Sequence, residues 1–213
     1  MAQSASAPTW RGGSPAAAGE ASARPARGEG TRGAFVAATA ELLRRQGYAA
    51  SGVNEIVARS GAPRGSLYFH FPGGKEELAV AAIEASGEQL ERAIGYVLSA
   101  STDLAAALGA LVDALAAGLE SSDYADGCPV ATVTLEAAST SEPIRAAADR
   151  AFTSWIAALA ERLRAAGLDD AAAERRALLV LSSIEGALLL ARARGDLGPL
   201  RAVREELVVL ARC

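Results

Sequence analysis

Residues 47–78 read GYAASGVNEIVARSGAPRGSLYFHFPGGKEEL and carry the most specific pattern in the chain. Apolar side chains recur along this stretch at helical spacing, and a Gly-Ala-Pro turn at 61–63 interrupts the recurrence. Ser51 is the candidate N-cap of the helix before the turn, and Pro63 suits the first turn of the helix after it. The spacing therefore predicts two short helices that form a helix-turn-helix over about residues 52–71.

The second of these helices, predicted to run from Pro63 to His70, carries residue types suited to DNA. Arg64 can bind guanine O6 and N7 together, and Ser66 can contact a base edge or a phosphate. Such a helix can enter the major groove, and Lys75 stands at the start of the next helix, where the dipole favours a phosphate. The candidate DNA-contacting residues are Pro63, Arg64, Gly65, Ser66, Tyr68, Phe69, His70 and Lys75, together with Ser51, Thr31 and Arg32.

The same spacing also fits a three-helix unit that only packs. On that interpretation the aromatic residues Tyr68, Phe69 and Phe71 all belong to a hydrophobic core, and His70 is a solvated surface histidine. Short helix pairs joined by a glycine-containing turn are common, so the spacing alone leaves DNA binding and simple packing open.

The composition favours helices and divides the chain by charge. The 213 residues are 51% apolar and only 5% aromatic, which is typical of close-packed helices rather than a β-sandwich. The formal net charge of −4 is unevenly distributed, because residues 1–80 are net +3 and residues 81–213 are net −7. This division predicts a basic module for a nucleic-acid partner joined to an acidic body.

The rare residue types exclude several chemistries. One histidine, one lysine and two cysteines cannot supply a Cys₂His₂ or Cys₄ zinc site or a disulfide framework. A catalytic triad would need His70, and a Schiff-base lysine would need Lys75, both in the predicted DNA-binding segment. We therefore expect no metal, no cofactor, no enzyme activity and a cytoplasmic location. Cys128, at a predicted helix start, fits either a redox-active thiol or a small buried apolar residue.

The chain divides into three predicted regions. Residues 1–30 are rich in Ala, Gly, Ser, Pro and Arg and lack periodicity, which predicts a disordered tail. Residues 31–75 are predicted to form the DNA-binding domain, with Thr31 as N-cap and Gly47 as the end of the first helix. Residues 76–213 form helices throughout, with no convincing strand and no uncharged apolar run long enough to span a membrane. The predicted fold class is all-α.

The motifs of the opening segment together point to a family. They are Gly-Tyr at 47–48, Val-x-x-Ile at 53–56, the glycine turn at 61–63, Leu-Tyr-Phe-His-Phe at 67–71 and Lys-x-x-Leu at 75–78. This combination closely resembles the N-terminal domain of the TetR family of bacterial transcriptional regulators. The resemblance implies a homodimeric regulator, most simply a repressor, that binds a double-stranded, pseudo-palindromic operator and is released by a small apolar ligand. Gly52 stands where the family often has Thr or Ser.

The C-terminal region, residues 76–213, resembles the family in its helical outline, which implies a helical ligand-binding and dimerisation domain. The stretch from Gly127 to Glu136 resembles the subgroup of drug- and flavonoid-responsive repressors. Apolar side chains that recur on one face of these helices most simply form the hydrophobic core. They can also line a ligand pocket, because ligand sites in helical proteins lie between helices. The candidate pocket residues are Tyr124, Leu135, Phe152, Trp155 and Ile156.

Residues 178–190 are apolar nearly all round, so a helix there must be buried on more than one face. It is either the central helix of its own domain or part of a four-helix bundle between two subunits. The family resemblance favours the homodimer. The candidate interface residues are Leu181, Ile184, Gly186, Leu188, Val203, Leu207 and Leu210.

Two other functions remain compatible with the sequence. One is a helical small-molecule-binding protein or enzyme with a vestigial helix-turn-helix, and the other is a dimeric scaffold that binds proteins through apolar helices. Activation in place of repression also remains open, because the sign of regulation depends on where the operator lies.

Overall fold

The structure, a computed structural model, describes residues 27–212, and all regular structure in that range is helical. In chain order the helices are α1 (Arg27–Ala50), α2 (Val53–Ser60), α3 (Arg64–His70), α4 (Gly74–Ser99), α5 (Leu104–Ser121), α6 (Pro129–Ala137), α7 (Glu142–Ala165), α8 (Asp170–Arg194) and α9 (Gly198–Leu210). The predicted all-α class is confirmed, and α2 and α3 lie where the helix-turn-helix was predicted.

Helix α1 begins earlier than predicted. It already includes residues 27–30, so the prediction of an N-cap at Thr31 is wrong. Residues 1–26 of the predicted tail lie outside the described residues. At Gly47 the backbone leaves the helix with φ 80° and ψ −175°, which confirms the predicted break and requires a residue that tolerates positive φ.

The described chain forms two compact units. One contains residues 27–90 and 128–153, and the other contains residues 91–127 and 154–212. The first unit holds α1, α2, α3 and α6 with the beginnings of α4 and α7. Because α6 packs against α1 in this unit, the grouping differs from the predicted division after residue 75.

The second unit is built on α5, which packs against α8 and α9. Arg204 donates a hydrogen bond from Nε to Asp113 Oδ1 at 2.7 Å and so links α9 to α5. Among residues 27–212, α5 is the one helix long and apolar enough to cross a membrane. Core helices of soluble proteins often have the same length and composition. Its buried side chains, among them Leu108 and Leu119, make it a core helix of this unit.

The apolar face that α8 leaves exposed is not the predicted one. Leu181 and Ile184 are buried within the protomer, as is Leu207 of α9, so the prediction that they form a subunit interface is wrong. Among the other candidates, Gly186 is exposed, and three are half-buried, namely Leu188, Val203 and Leu210. The exposed apolar residues are Leu178, Leu179, Leu189 and Leu190 of α8 and Val209 of α9.

We expect Gly61→Ala to lower the thermal midpoint of unfolding, measured by circular dichroism. Gly61 ends α2 with φ 64°, and a Cβ in this left-handed conformation costs about 1–2 kcal/mol. Gly65→Ala is the matched control, because both glycines have open space at the Cβ position but Gly65 lies inside α3. Equal losses from both substitutions would contradict the backbone argument.

Candidate nucleic-acid interface

Helix α3 is fixed by a small hydrophobic core. Leu67 and Phe71 are fully buried in it, together with Phe35, Leu42, Ile56 and Leu78. The rings of Phe35 and Phe71 meet edge to face, with centroids 6.4 Å apart. Since these residues come from α1 through α4, the core holds the three helices of the predicted DNA-binding domain and the start of α4 together.

The opposite face of α3 is open to solvent. Phe69 is 80% exposed and Tyr68 is 58% exposed, while Arg64 and Gly65 are also exposed. The adjacent exposed rings of Tyr68 and Phe69 form an aromatic patch on this face, which makes them candidate contacts for a partner. The packing-only interpretation is therefore wrong for Tyr68 and Phe69, although it is right for Phe71.

The N-terminus of α3 differs from the prediction by one residue. Pro63 has extended backbone, with φ −61° and ψ 130°, and is the N-cap rather than part of the first turn. The Ser66 hydroxyl donates to the Pro63 carbonyl at 2.6 Å, which leaves its oxygen able to accept from a ligand. His70 lies half-buried at the other end, with its ring 5.1 Å from that of Phe69.

Ser51 is not placed to contact DNA. Its side chain is fully buried, and its hydroxyl donates to the Gly47 carbonyl at 2.5 Å. The N-cap of α2 is the exposed Gly52, which provides no side-chain hydrogen bond. The predictions of Ser51 as N-cap and as a DNA contact are both wrong, because this serine instead closes the turn between α1 and α2.

Lys75 lies in the first turn of α4 and is half-buried there. Its ammonium donates to the Ala49 carbonyl at 3.3 Å and lies 4.4 Å from the centre of the Tyr48 ring. Burial lowers the pKa of Lys75 from its usual value, and the nearby Glu136 carboxylate acts in the opposite direction. Burial of the Tyr48 side chain raises the pKa of Tyr48, and the Glu76 carboxylate raises it further. Lys75 therefore has a structural role besides its predicted contact with a phosphate.

Three exposed contacts help to orient the helices behind α3. Arg32 of α1 is exposed, and its guanidinium lies 5.1 Å from the centre of the Phe71 ring. Gln46 donates to Glu55 of α2 at 2.8 Å. Arg59 of α2 forms an ion pair with a glutamate of α1. These contacts are minor additions to the buried core. An exposed ion pair such as that of Arg59 stabilises by only about 0–1 kcal/mol.

Sequence reasoning missed Glu136 as part of this region. The Glu136 carboxylate on α6 accepts the Ala49 backbone N–H at 2.8 Å. The contact joins residues 87 positions apart, and nothing in the local pattern of α6 distinguishes this exposed glutamate from any other. A second link in the same unit is the hydrogen bond from the Ser141 hydroxyl to Glu76 Oε1 at 2.6 Å.

The candidate pocket residues have different surroundings. Trp155 is fully buried as part of a packed core, and Leu135 is 78% exposed, so the prediction that Leu135 lines an interior pocket is wrong. Tyr124, Phe152 and Ile156 are half-buried.

Cys128 is the N-cap of α6, and its Sγ accepts from the Ala131 N–H at 3.4 Å. Pro129 is the first residue of α6, so the helix start predicted at Cys128 is confirmed. The thiol is half-buried, so the two interpretations of Cys128 remain open as hypotheses.

Comparison with known proteins matches both parts of the chain. Residues 35–82 match the model of bacterial regulatory proteins of the tetR family, and residues 105–206 match the C-terminal domain of LmrA/YxaF-like transcriptional regulators. The HTH-type transcriptional regulator LmrA of Bacillus subtilis is 35% identical over 170 residues, covering 80% of this chain and 90% of that protein. The chain belongs to the TetR family. It is a transcriptional regulator of that family.

Further relatives agree in sequence and in fold. The uncharacterized HTH-type regulator YxaF of Bacillus subtilis is 37% identical over 171 residues, covering 80% of this chain and 90% of that protein. A TetR regulatory protein from Rhodobacter sphaeroides shares the fold with a TM-score of 0.75 at 24% identity, over 84% of this chain and 97% of that chain. A TetR transcriptional regulator from Legionella pneumophila gives a TM-score of 0.68 at 26% identity, covering 82% of this chain and 93% of that chain.

We expect Phe71→Ala and Phe69→Ala to differ sharply in stability, although Phe69 lies in the last turn of α3 and Phe71 caps the same helix two residues later. Emptying the buried Phe71 site should cost about 3–5 kcal/mol in the free energy of unfolding. Removing the exposed Phe69 ring should change it by less than about 0.5 kcal/mol. Chemical denaturation of both variants measures the difference, and a similar loss in both would mean that Phe69 also packs in the core.

Proposed function

We propose that this chain is a homodimeric repressor that binds a pseudo-palindromic operator through α3 and releases it when a small apolar ligand binds. One observation carries the proposal. Leu67 anchors α3 in a buried core while Arg64, Tyr68 and Phe69 face solvent. A helix held in this way can present its outer side chains to the major groove without losing its packing.

The exposed residues of α3 suit different parts of the DNA. Arg64 can bind a guanine edge with two hydrogen bonds, and Phe69 can pack against a thymine methyl group. Gly65 has open space above its backbone, which permits a close approach to DNA. Tyr68 and His70 have polar tips that can donate to phosphate oxygens and so fix the position of α3 on the duplex.

The homodimer is supported by the unpartnered leucines of α8. Leu179 and Leu190 lie on the same side of the helix as Gly186, whose missing side chain permits close approach of another helix. We assign the partner as α8 of a second copy, with Val209 of α9 at the edge, in a four-helix bundle. Such a dimer carries two α3 helices, which read half-sites about one DNA turn apart.

Release requires that the ligand bind the released state more tightly than the DNA-bound state. Tyr124 is a candidate contact for the ligand. It is half-buried in the turn after α5 and has φ 59°, a conformation that costs energy for a tyrosine. The regulator acts in the cytoplasm through binding alone, with no catalytic step.

The first test is selection of bound duplexes from a random DNA pool, followed by measurement of affinity for the recovered operator. We expect Arg64→Ala to weaken operator binding about 10- to 100-fold, because a bidentate contact to guanine is lost. Arg145→Ala is the matched control, since Arg145 is an exposed arginine held by Glu142 of its own helix α7. Failure to recover any enriched sequence would contradict the proposed function.

The dimer has a separate test. We expect the double substitution Leu179→Glu, Leu190→Glu to convert the protein to monomers in sedimentation equilibrium, because four buried carboxylates would face each other across the interface. Leu135→Glu is the control, as Leu135 is more exposed than either leucine but lies on α6. A dimer that survives the double substitution would place the interface elsewhere.

A further inference from the structure

Ala49 lies where three elements of the first unit meet. It follows the backbone break at Gly47 and precedes α2. Its N–H donates to Glu136 of α6 at 2.8 Å, and its carbonyl accepts from Lys75 of α4 at 3.3 Å. Both polar backbone groups of one turn residue are thus held by side chains from two other helices.

The Glu136 carboxylate also lies directly against the backbone of Gly47. A Cβ at Gly47 would overlap Oε1 of Glu136 and lie 2.7 Å from its Cδ. Any side chain at position 47 would therefore push the carboxylate away from the Ala49 N–H. The Ser51 hydroxyl fastens the same turn from inside through the Gly47 carbonyl. Residues 47–51, the turn formed by the kinked end of α1 and Ser51, are closed around the carboxylate.

Lys75 completes the arrangement from the side of α4. Its ammonium is held by the Ala49 carbonyl and the face of the Tyr48 ring. Burial lowers the pKa of Lys75, and the Glu136 carboxylate opposes that effect by favouring the charged form. Glu136 thus binds the Ala49 N–H directly. It also favours the charged form of Lys75, whose ammonium binds the Ala49 carbonyl.

We propose that Glu136 is a positioning residue for operator binding, which fixes the turn at residues 47–51 and thereby the orientation of α2 and α3. This inference rests on the proposed function, because it concerns the affinity for operator DNA. It assigns no contact between Glu136 and DNA. A turn that is already ordered in the free protein loses less conformational entropy on binding than one that must be ordered by DNA.

The proposal predicts a direction opposite to that of simple electrostatics. Removing a carboxylate from a DNA-binding protein reduces repulsion of phosphates and should tighten binding. Loss of a positioning contact should weaken binding instead. Glutamine at position 136 separates the two effects further, because its amide oxygen can still accept the Ala49 N–H after the charge has gone.

The experiment measures affinity for the operator selected with the wild-type protein, at one salt concentration and well below the unfolding temperature. We expect Glu136→Ala to weaken binding about tenfold, as expected for loss of one hydrogen bond to a charged group. Glu136→Gln should stay within about threefold of wild type by the same measure. Glu142→Ala is the control, because it removes the same charge from an exposed residue of the same unit and should leave the affinity unchanged or slightly tighter, never weaker.

Hydrogen exchange of the Ala49 amide in the absence of DNA checks the contact itself. We expect slow exchange in the wild type and Glu136→Gln, and fast exchange in Glu136→Ala. Operator binding by Glu136→Ala that equals or exceeds that of wild type overturns the proposal, as does fast Ala49 exchange in the wild type. Both results leave the proposed function intact, whereas a wild type that selects no operator overturns that function itself.

Discussion

The burial of Leu67 and Phe71 is the interaction on which the DNA-binding face depends. Helix α3 has seven residues, and isolated helices shorter than about 12–15 residues are marginal in water. It exists because these two side chains fill the core that α1, α2 and α4 enclose. That core also fixes the positions of the exposed side chains of α3. The buried face of this short helix therefore stabilises the fold, and its exposed face is available to bind DNA.

Sequence patterns predicted this region well, because its signals are local. The glycine at position 61 takes the left-handed conformation that a helix end requires, and the apolar positions around it face inward. Gly195 ends α8 in the same left-handed conformation. Ser51 was mistaken for an N-cap because a serine just before a helix often is one. Its burial instead depends on the backbone break at Gly47. The pattern of residue types does not contain the geometry of that break.

The errors in α8 and the omission of Glu136 have a common physical origin. A helix that is apolar nearly all round gives no periodic signal for which face turns inward, so Ile184 and Leu189 could not be separated before the structure placed α5 and α9 against α8. Glu136 acts through a backbone N–H 87 residues away. Contacts of that kind follow from how helices pack. The residue type alone does not indicate which side chain accepts a hydrogen bond from a distant backbone N–H.

We propose that two α3 helices, each held by the core of its own unit, bind one operator as parts of a dimer formed through α8. The most direct measurement is affinity for operators whose two half-sites are separated by increasing numbers of base pairs. We predict a maximum at the selected spacing and a large loss when about five base pairs are inserted, because half a DNA turn places one half-site on the opposite side of the duplex. Affinity that does not depend on the spacing would contradict the account, since it would mean that each α3 binds without reference to its partner.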